Sequence, residues 1–365
     1  MEFRNAWLQE ISRTSISERD PLRLDAFFTR LPELNSKGDS GAILHEARNL
    51  DLSVYTARQA NLADSIAAMR DLGMMVCSLN RHGVSAPGNI SGLSDAMLGI
   101  AERTGMIPRE TVLHYCWWNP EGDRQRMFTG ATAERSLISS TASSLPAVES
   151  AARITATLID VAPSEPGYSI LCSEAVDQLA RLSNSVHLPS SGLDARHFAD
   201  ELRHYFLPAE VGHGTYHSAA AAQIPLYLVD QAVWGSDQTD PHIQLLWEDL
   251  ALYGLPVWRS SFRKLSQAPS LVHRMAAALR GPSSSSSVVH NSATSLMSLI
   301  RTLIEFRGRH RRLVRTAYER DSRFYHQGSA GATPELIDQL LFATRECIES
   351  IKHGPAQRRV AHHAV

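Results

Sequence analysis

The amino-acid sequence predicts an all-α fold. Apolar residues recur at spacings of three and four through long segments, which is the periodicity of an amphipathic helix. Alternating runs of β-branched residues, which would indicate strands, are almost absent. With 365 residues, of which 43% are hydrophobic, the chain is long enough to bury one large core or two adjoining ones. These observations together favour a large helical bundle.

The clearest predicted helix covers residues 56–82. Its apolar residues follow helical spacing, Thr56 and Gln59 form a capping-box pattern, and Gly83 suits the left-handed position after a helix. Asp194 is a predicted N-cap for one of the further helices. The other apolar stripes that predict helices cover residues 145–159, 172–186 and 198–206.

Proline and glycine divide the chain. Pro163 and the pair Pro166-Gly167 predict a soft boundary near residue 165. We therefore expect an N-terminal helical region over 1–165, a C-terminal helical domain over 166–356 and a tail over 357–365. A Gly-Pro pair and a serine run at 281–287 predict a loop between two helices of the second half.

Composition and missing motifs exclude several classes of protein. The charge balance, 36 Lys and Arg against 38 Asp and Glu, argues against a nucleic-acid-binding or membrane-surface protein. Without a long apolar run or a signal-peptide core near Met1, we expect a soluble cytoplasmic protein. The four cysteines contain no CxxC pair, so neither a disulfide framework nor a thiolate zinc site is predicted. The GxGxxG, P-loop, HExxH and GxSxG motifs are absent.

One histidine lies inside the apolar stripe of a long predicted helix over residues 292–318. His310 follows Phe306 by four residues and precedes Val314 by four, so all three share the buried face. A buried imidazole without a partner costs about 1–3 kcal/mol. His310 is therefore either a hydrogen-bonded core residue or a ligand. Arg307, one turn earlier, carries a guanidinium that can hold a carboxylate.

Downstream of this helix comes a loop of small residues, Gly328-Ser329-Ala330-Gly331, that lets a backbone approach a ligand. The order of Arg307, His310 and this loop resembles the haem segment of the indoleamine/tryptophan dioxygenase superfamily. The resemblance implies a haem b cofactor with His310 as the iron ligand and Arg307 paired with a propionate. It also implies that the loop, with Gly328 and Gly331, closes over substrate and haem. Ser329 and Ala330 depart from the threonine and glycine that are usual there.

Within that superfamily, the chain is most similar to the monodechloroaminopyrrolnitrin synthase (PrnB) branch. The resemblance rests on co-linear segments along the chain: Arg19-Asp20-Pro21-Leu22, Ala68-Met69-Arg70-Asp71-Leu72-Gly73, Pro108-Arg109-Glu110-Thr111, Trp118-Asn119-Pro120, Asp200-Glu201-Leu202-Arg203 and Val233-Trp234-Gly235-Ser236. It implies that Tyr318 and Ser329 face the substrate pocket and that Ser218 and Ala219 lie over the distal side of the haem. The implied fold is a dioxygenase-like helical bundle with a smaller N-terminal helical region.

The function that this resemblance implies is haem-dependent oxidation or rearrangement of tryptophan or a chlorinated tryptophan, in aminophenylpyrrole-forming secondary metabolism. The implied partners are the indole substrate, dioxygen or peroxide, and an electron donor where the reaction needs one. Two alternatives stay open: ring cleavage of the tryptophan 2,3-dioxygenase type, and a haem- or indole-binding protein without catalysis. His213 and His217 have ligand-like spacing, but no carboxylate lies near them in the sequence, so a metal site there is not predicted.

Overall fold

The computed structural model describes residues 13–185, 194–318 and 334–353. The prediction of an all-α fold is confirmed, because helices account for nearly all the regular structure of these residues. The α-helices are α1 Arg13–Ser17, α2 Asp25–Lys37, α3 Ser40–Arg48, α4 Ser53–Thr56, α5 Leu62–Arg81, α6 Ala86–Asn89, α7 Leu93–Thr104, α8 Thr132–Leu158, α9 Pro166–Ser185, α10 Ala195–Asp200, α11 Leu226–Val233, α12 Pro241–Leu252, α13 Pro256–Leu265, α14 Leu271–Ala278, α15 Ser287–Tyr318 and α16 Pro334–His353. Among the described residues, no helix combines the length and hydrophobicity that a membrane crossing needs.

Helix α5 runs through the core, and every residue from Ser65 to Leu79 is buried. The predicted start at Thr56 is wrong. Arg58 has a φ of 59°, which breaks the helical path after the short α4. The helix begins instead after Asn61, whose side chain accepts a hydrogen bond from the backbone N–H of Asp64. The left-handed glycine predicted after the helix is confirmed, since Gly83 has a φ of 75°.

Residues 198–206 do not form the single helix that their apolar stripe predicts. Helix α10 ends at Asp200, and a 3₁₀ turn, Leu202–Tyr205, follows it. The predicted N-cap is confirmed, because Asp194 accepts from the backbone N–H of Arg196 and of His197. A small antiparallel hairpin comes next, with strands β1 Ala209–Val211 and β2 Gly214–Tyr216. It occupies the glycine-containing segment that the sequence does not predict as strand.

Four long helices, α8, α9, α15 and α16, pack against one another in series. Helices α9 and α16 both pack along α15, and α8 packs along α9. Helix α15 begins at Ser287, five residues before the predicted start, so the last residue of the loop predicted at 281–287 is already helical. Helix α16 begins at Pro334, the residue type that favours the first helical position. This arrangement places the His310 segment of α15 among the helices of the second half.

The boundary predicted near residue 165 lies in the connection between α8 and α9. These two helices pack against each other, so the core continues across the connection. The guanidinium of Arg274 in α14 donates to the carbonyl oxygens of Leu158 and Val161, at the end of α8, over 2.9 and 3.0 Å. The division into regions 1–165 and 166–356 stays a prediction.

Candidate functional site

His310 lies about two turns before the C-terminal end of α15, with its ring parallel to the ring of Phe306. The two ring centroids are 5.8 Å apart and the planes differ by 3°. Burial, and then the nearby positive charge of Arg307, lowers the pKa of His310 to about 4. The imidazole is therefore neutral near pH 7, which is the form that binds a metal ion.

The ring nitrogens of His310 have no hydrogen-bond partner within the described residues. The side chain also keeps accessible surface, although its surroundings are dense enough to lower its pKa strongly. The two interpretations that the sequence left open, a hydrogen-bonded core histidine and a ligand, both stay predictions.

Arg307 is buried one turn before His310 and joins three helices. One terminal nitrogen, Nη1, donates to the hydroxyl of Thr344 in α16 over 2.5 Å. The other, Nη2, pairs with the carboxylate of Asp230 in α11. The guanidinium also lies 5.9 Å from the ring centroid of Trp234. Arg307 thus stands beside His310, as its predicted role requires, but its charge is already paired with Asp230.

Asp230 and Thr344 are site residues that the sequence analysis missed. A signal for Asp230 was present, because it is a lone charge in the otherwise apolar helix Leu226–Val233. Such a charge is normally paired when it is buried. The identity of its partner could not be read from the sequence, since Arg307 is 77 residues away. Thr344 gave no signal, because threonine is unremarkable in a partly exposed helix.

The other arginines of this segment hold α15 to its neighbours. Arg309 donates to the carbonyl oxygen of Ser183 in α9 over 3.1 Å. Arg311 forms a two-pronged pair with the carboxylate of Asp338 in α16, and Arg315 reaches the same carboxylate at 3.6 Å. The concentration of arginine is therefore explained in part by helix packing. Arg307 differs from these arginines because its positive charge lowers the pKa of His310.

Ser218 and Ala219 are both buried in the segment that follows β2. The hydroxyl of Ser218 donates to Oε1 of Glu110 over 2.6 Å. The backbone carbonyl oxygen of Ser218 accepts from Nε2 of Gln223 over 2.8 Å. The Sγ atom of Cys77 lies 3.3 Å from the same hydroxyl. The side chain of Ser218 is thus committed to the protein interior, and the contact of this segment with a cofactor stays a prediction.

Arg109 and Glu110 fasten this segment to the core. Their buried ion pair, 2.8 Å long, lies against Cys77 of α5, and Arg109 also donates to the backbone carbonyl of Tyr216 over 3.1 Å. Burial, followed by the charge of Glu110, raises the pKa of Cys77 to about 12. The thiol therefore stays protonated, which indicates a packing role and not that of a nucleophile.

Four predicted site residues cannot be compared with this geometry. Gly328, Ser329 and Gly331 lie outside the described residues, and of Tyr318 only its place at the end of α15 is described. Their roles stay predictions. Within the described ranges, no three or more His, Cys, Asp or Glu side chains cluster as a metal site would require. His213 and His217 belong to no such cluster there.

The chemistry of this donor set fits a haem. Haem iron in many proteins takes a single neutral imidazole, which is the form of His310 near pH 7. A guanidinium has five N–H donors and can bind more than one acceptor, and Arg307 donates to Thr344 and Asp230. The flat ring of Phe306 adds apolar surface beside the imidazole.

The fold and this site define a helical protein with a histidine suited to holding a metal cofactor beside a buried arginine. A family model described as monodechloroaminopyrrolnitrin synthase PrnB matches residues 44–341, which is most of the chain. The protein belongs to this family. Members are enzymes of secondary metabolism that act on a tryptophan-derived substrate.

Proposed function

We propose that the protein is a haem b enzyme that oxidises or rearranges tryptophan, or a chlorinated tryptophan, at the indole ring. The observation that carries the proposal is the position of His310 on α15, one turn after the buried guanidinium of Arg307 and with its ring parallel to that of Phe306. Family membership supports the substrate class, because PrnB enzymes act on tryptophan-derived molecules. Haem supplies an iron with an open coordination position for dioxygen or peroxide when one histidine holds it.

The protein's own groups have distinct tasks in this proposal. His310 holds the iron, and its low pKa keeps the binding nitrogen deprotonated near pH 7. Arg307 donates to a propionate, while Gly328, Gly331, Ser218 and Ala219 line the cofactor with backbone and small side chains. Ser329 and Tyr318 orient the amino and carboxylate groups of the substrate through their hydroxyls.

The first arm of the test compares two histidines of the same helix. His290 lies on α15 like His310, but it is exposed. We expect His310→Ala to abolish the spectral signature of histidine-ligated haem, including the iron–histidine band in resonance Raman spectra. We expect His290→Ala to keep the haem spectrum, including the iron–histidine band. If His310→Ala retains the wild-type band, the iron ligand lies elsewhere and the proposed site is wrong.

The second arm addresses the substrate. Haem-loaded protein is titrated with L-tryptophan, 7-chloro-L-tryptophan and a non-indole amino acid while the Soret band is followed, and products are identified by mass. We expect the indoles alone to shift the band and to be consumed with dioxygen or peroxide. A product that carries both atoms of dioxygen with the indole ring opened supports the cleavage alternative. Binding of indoles without turnover under every oxidant tested supports a binding protein without catalysis.

A further inference from the structure

We propose that a cleft between α14, α15 and α16 binds a small organic anion: a carboxylate that carries an apolar body. The cleft has a volume of about 420 Å³, which lies within the range of small-molecule sites. It is lined by the residues that follow α14, by the first turns of α15 and by the last residues of α16. The proposal is independent of the proposed function and of any cofactor.

Distance separates this cleft from the proposed cofactor site. His290 lines the cleft on α15, and His310 lies 20 residues later on the same helix. With a rise of about 1.5 Å per residue, the two positions are about 30 Å apart along the helix axis. A small molecule in the cleft therefore does not contact His310, and the cleft is a second site.

The polar part of the lining is cationic. Among the nine described residues that line the cleft, four are basic and none is acidic. The basic residues are Arg280, His290, Lys352 and His353. Arginine and lysine are positively charged at neutral pH, and histidine adds to this charge when it is protonated. A concave surface lined by one sign of charge attracts ligands of the opposite sign, which here are anions.

Glu349 compensates part of this positive charge from outside the cleft. Its carboxylate pairs with Nζ of Lys352 over 2.9 Å and with Nε2 of His353 at 3.5 Å. The three side chains are all exposed to solvent, where such pairs are weak. An ammonium group has three donors, so Lys352 can keep this pair and also donate to a ligand. Arg280 contributes its charge in addition to this pair.

The rest of the lining is largely apolar. Ala293 and Ile351 are only 5% and 3% exposed, and Leu279 and Met297 are half-buried beside them. An inorganic anion gains nothing from such a surface, whereas each methylene group that leaves water there tightens binding by about fourfold. Cationic side chains beside an apolar wall therefore select a carboxylate with an apolar body.

The sequence after α16 has the wrong charge to occupy this cleft itself. Residues 354–365 contain two arginines and two histidines, at Arg358, Arg359, His362 and His363, and neither aspartate nor glutamate. Like charges repel, so the basic lining of the cleft disfavours this segment as its occupant. Charge complementarity thus favours a separate anionic molecule.

Equilibrium dialysis of purified full-length protein tests the proposal. The probes are butanoate, hexanoate and octanoate, which share one head group, and hexylammonium, which has a body of similar size to hexanoate and the opposite charge. Wild-type protein is compared with Arg280→Gln, with the double variant Arg280→Gln/Lys352→Gln, and with Ala293→Leu. Arg301→Gln is the matched control, because Arg301 is an exposed arginine of α15 that does not line the cleft.

We expect one octanoate to bind per chain, with affinity that rises by about fourfold for each methylene group from butanoate to octanoate. Hexylammonium binds about tenfold more weakly than hexanoate. Arg280→Gln weakens octanoate binding by about threefold and the double variant by about tenfold, since exposed charges each contribute modestly. Ala293→Leu takes the space of about two methylene groups and weakens octanoate binding by about tenfold. Arg301→Gln leaves it unchanged.

Three results would overturn the proposal. Equal binding of hexanoate and hexylammonium would mean that the cleft does not select an anion. Octanoate binding that is unchanged in the double variant and in Ala293→Leu would place the bound molecule elsewhere on the protein. Wild-type protein without saturable octanoate binding would also contradict the proposal. Arg280 and Lys352 are exposed, so their variants keep the test decisive if Ala293→Leu does not fold.

Discussion

At the scale of single residues, the imidazoles of His114 and His310 both have lowered pKa values but lie in different surroundings. His114 lies in the short π-helix Leu113–Trp117, and its Nδ1 accepts from the backbone N–H of Thr111 over 3.1 Å. His310 has no such partner within the described residues. Burial keeps both rings neutral. His114 is thus a hydrogen-bonded core residue, whereas the role of His310 as a ligand stays a prediction.

His114 gives a prediction about pH. Burial, and then the charge of Arg70, lowers the pKa of His114 from its ordinary value of 6.5 to about 3 in the folded protein. Between these values the unfolded chain binds a proton that the folded protein does not, so the free energy of unfolding falls as the pH falls. The slope from one such group is about 1.4 kcal/mol per pH unit. Above pH 6.5 His114 contributes no slope.

The measurement is urea unfolding of haem-free protein between pH 4.5 and 8. His114→Asn, which keeps a hydrogen-bond acceptor but does not titrate, should flatten the dependence of stability on pH below 6.5. His290→Asn is the control, because that ring is exposed, and it should leave the slope unchanged. An unchanged slope in His114→Asn would mean that His114 takes up a proton without unfolding.

The sequence predicted the site residues unevenly, and the reason is separation along the chain. His310 and Arg307 could be placed on one face from helical periodicity alone, since they are three residues apart. The partners of Arg307 come from α11 and α16, and no local pattern specifies which distant helices meet. Ser218 was named by resemblance, but its bond to Glu110 joins residues 108 positions apart. Local patterns thus predict which residues share one face of a helix. Contacts between residues far apart in the sequence depend on how the helices pack in the folded protein.

At the scale of elements, helix α5 shows how a glycine allows two segments to approach. A Cβ atom at Gly73 would lie 2.4 Å from Cβ of Glu110 and 2.5 Å from its Oε2. Glu110 can therefore pack against α5 and hold Ser218 only because residue 73 has no side chain. Periodicity predicted most of α5, but its start depends on the backbone of Arg58, which the apolar pattern does not encode.

Two glycine substitutions test this packing. Gly to Ala in a helix interior normally stabilises by about 1 kcal/mol. Gly308→Ala in α15 should show that gain, because among the described residues no atom outside the helix's own backbone lies within 4 Å of the added Cβ. Gly73→Ala should instead destabilise by roughly 1–3 kcal/mol, since Glu110 and its ion pair with Arg109 must shift. Chemical denaturation of the two haem-free variants measures both changes in the free energy of unfolding. A stabilised Gly73→Ala protein would show that Glu110 can shift without cost.

At the scale of the whole molecule, the connection near residue 165 joins regions that share one core. Nε1 of Trp258 in α13 donates to Oε1 of Glu149 in α8 over 3.2 Å, and both side chains are buried. Arg274 of α14 caps the end of α8 through two carbonyl oxygens. Both contacts connect a helix of the first region to a helix of the second. The proline and glycine residues near 165 therefore mark a turn between packed helices.

This shared core predicts cooperative unfolding. Haem-free protein should unfold in one calorimetric transition with equal calorimetric and van't Hoff enthalpies, as expected when no part is stable alone. A fragment covering residues 166–365 should lack cooperative unfolding, because without α8 the apolar faces of α9 and α11 are exposed and Trp258 and Arg274 lose their acceptors. Co-expression with residues 1–165 is the control and should restore the transition. Two separate transitions in the intact chain, or a fragment that melts cooperatively, would establish two independent domains with a boundary near residue 165.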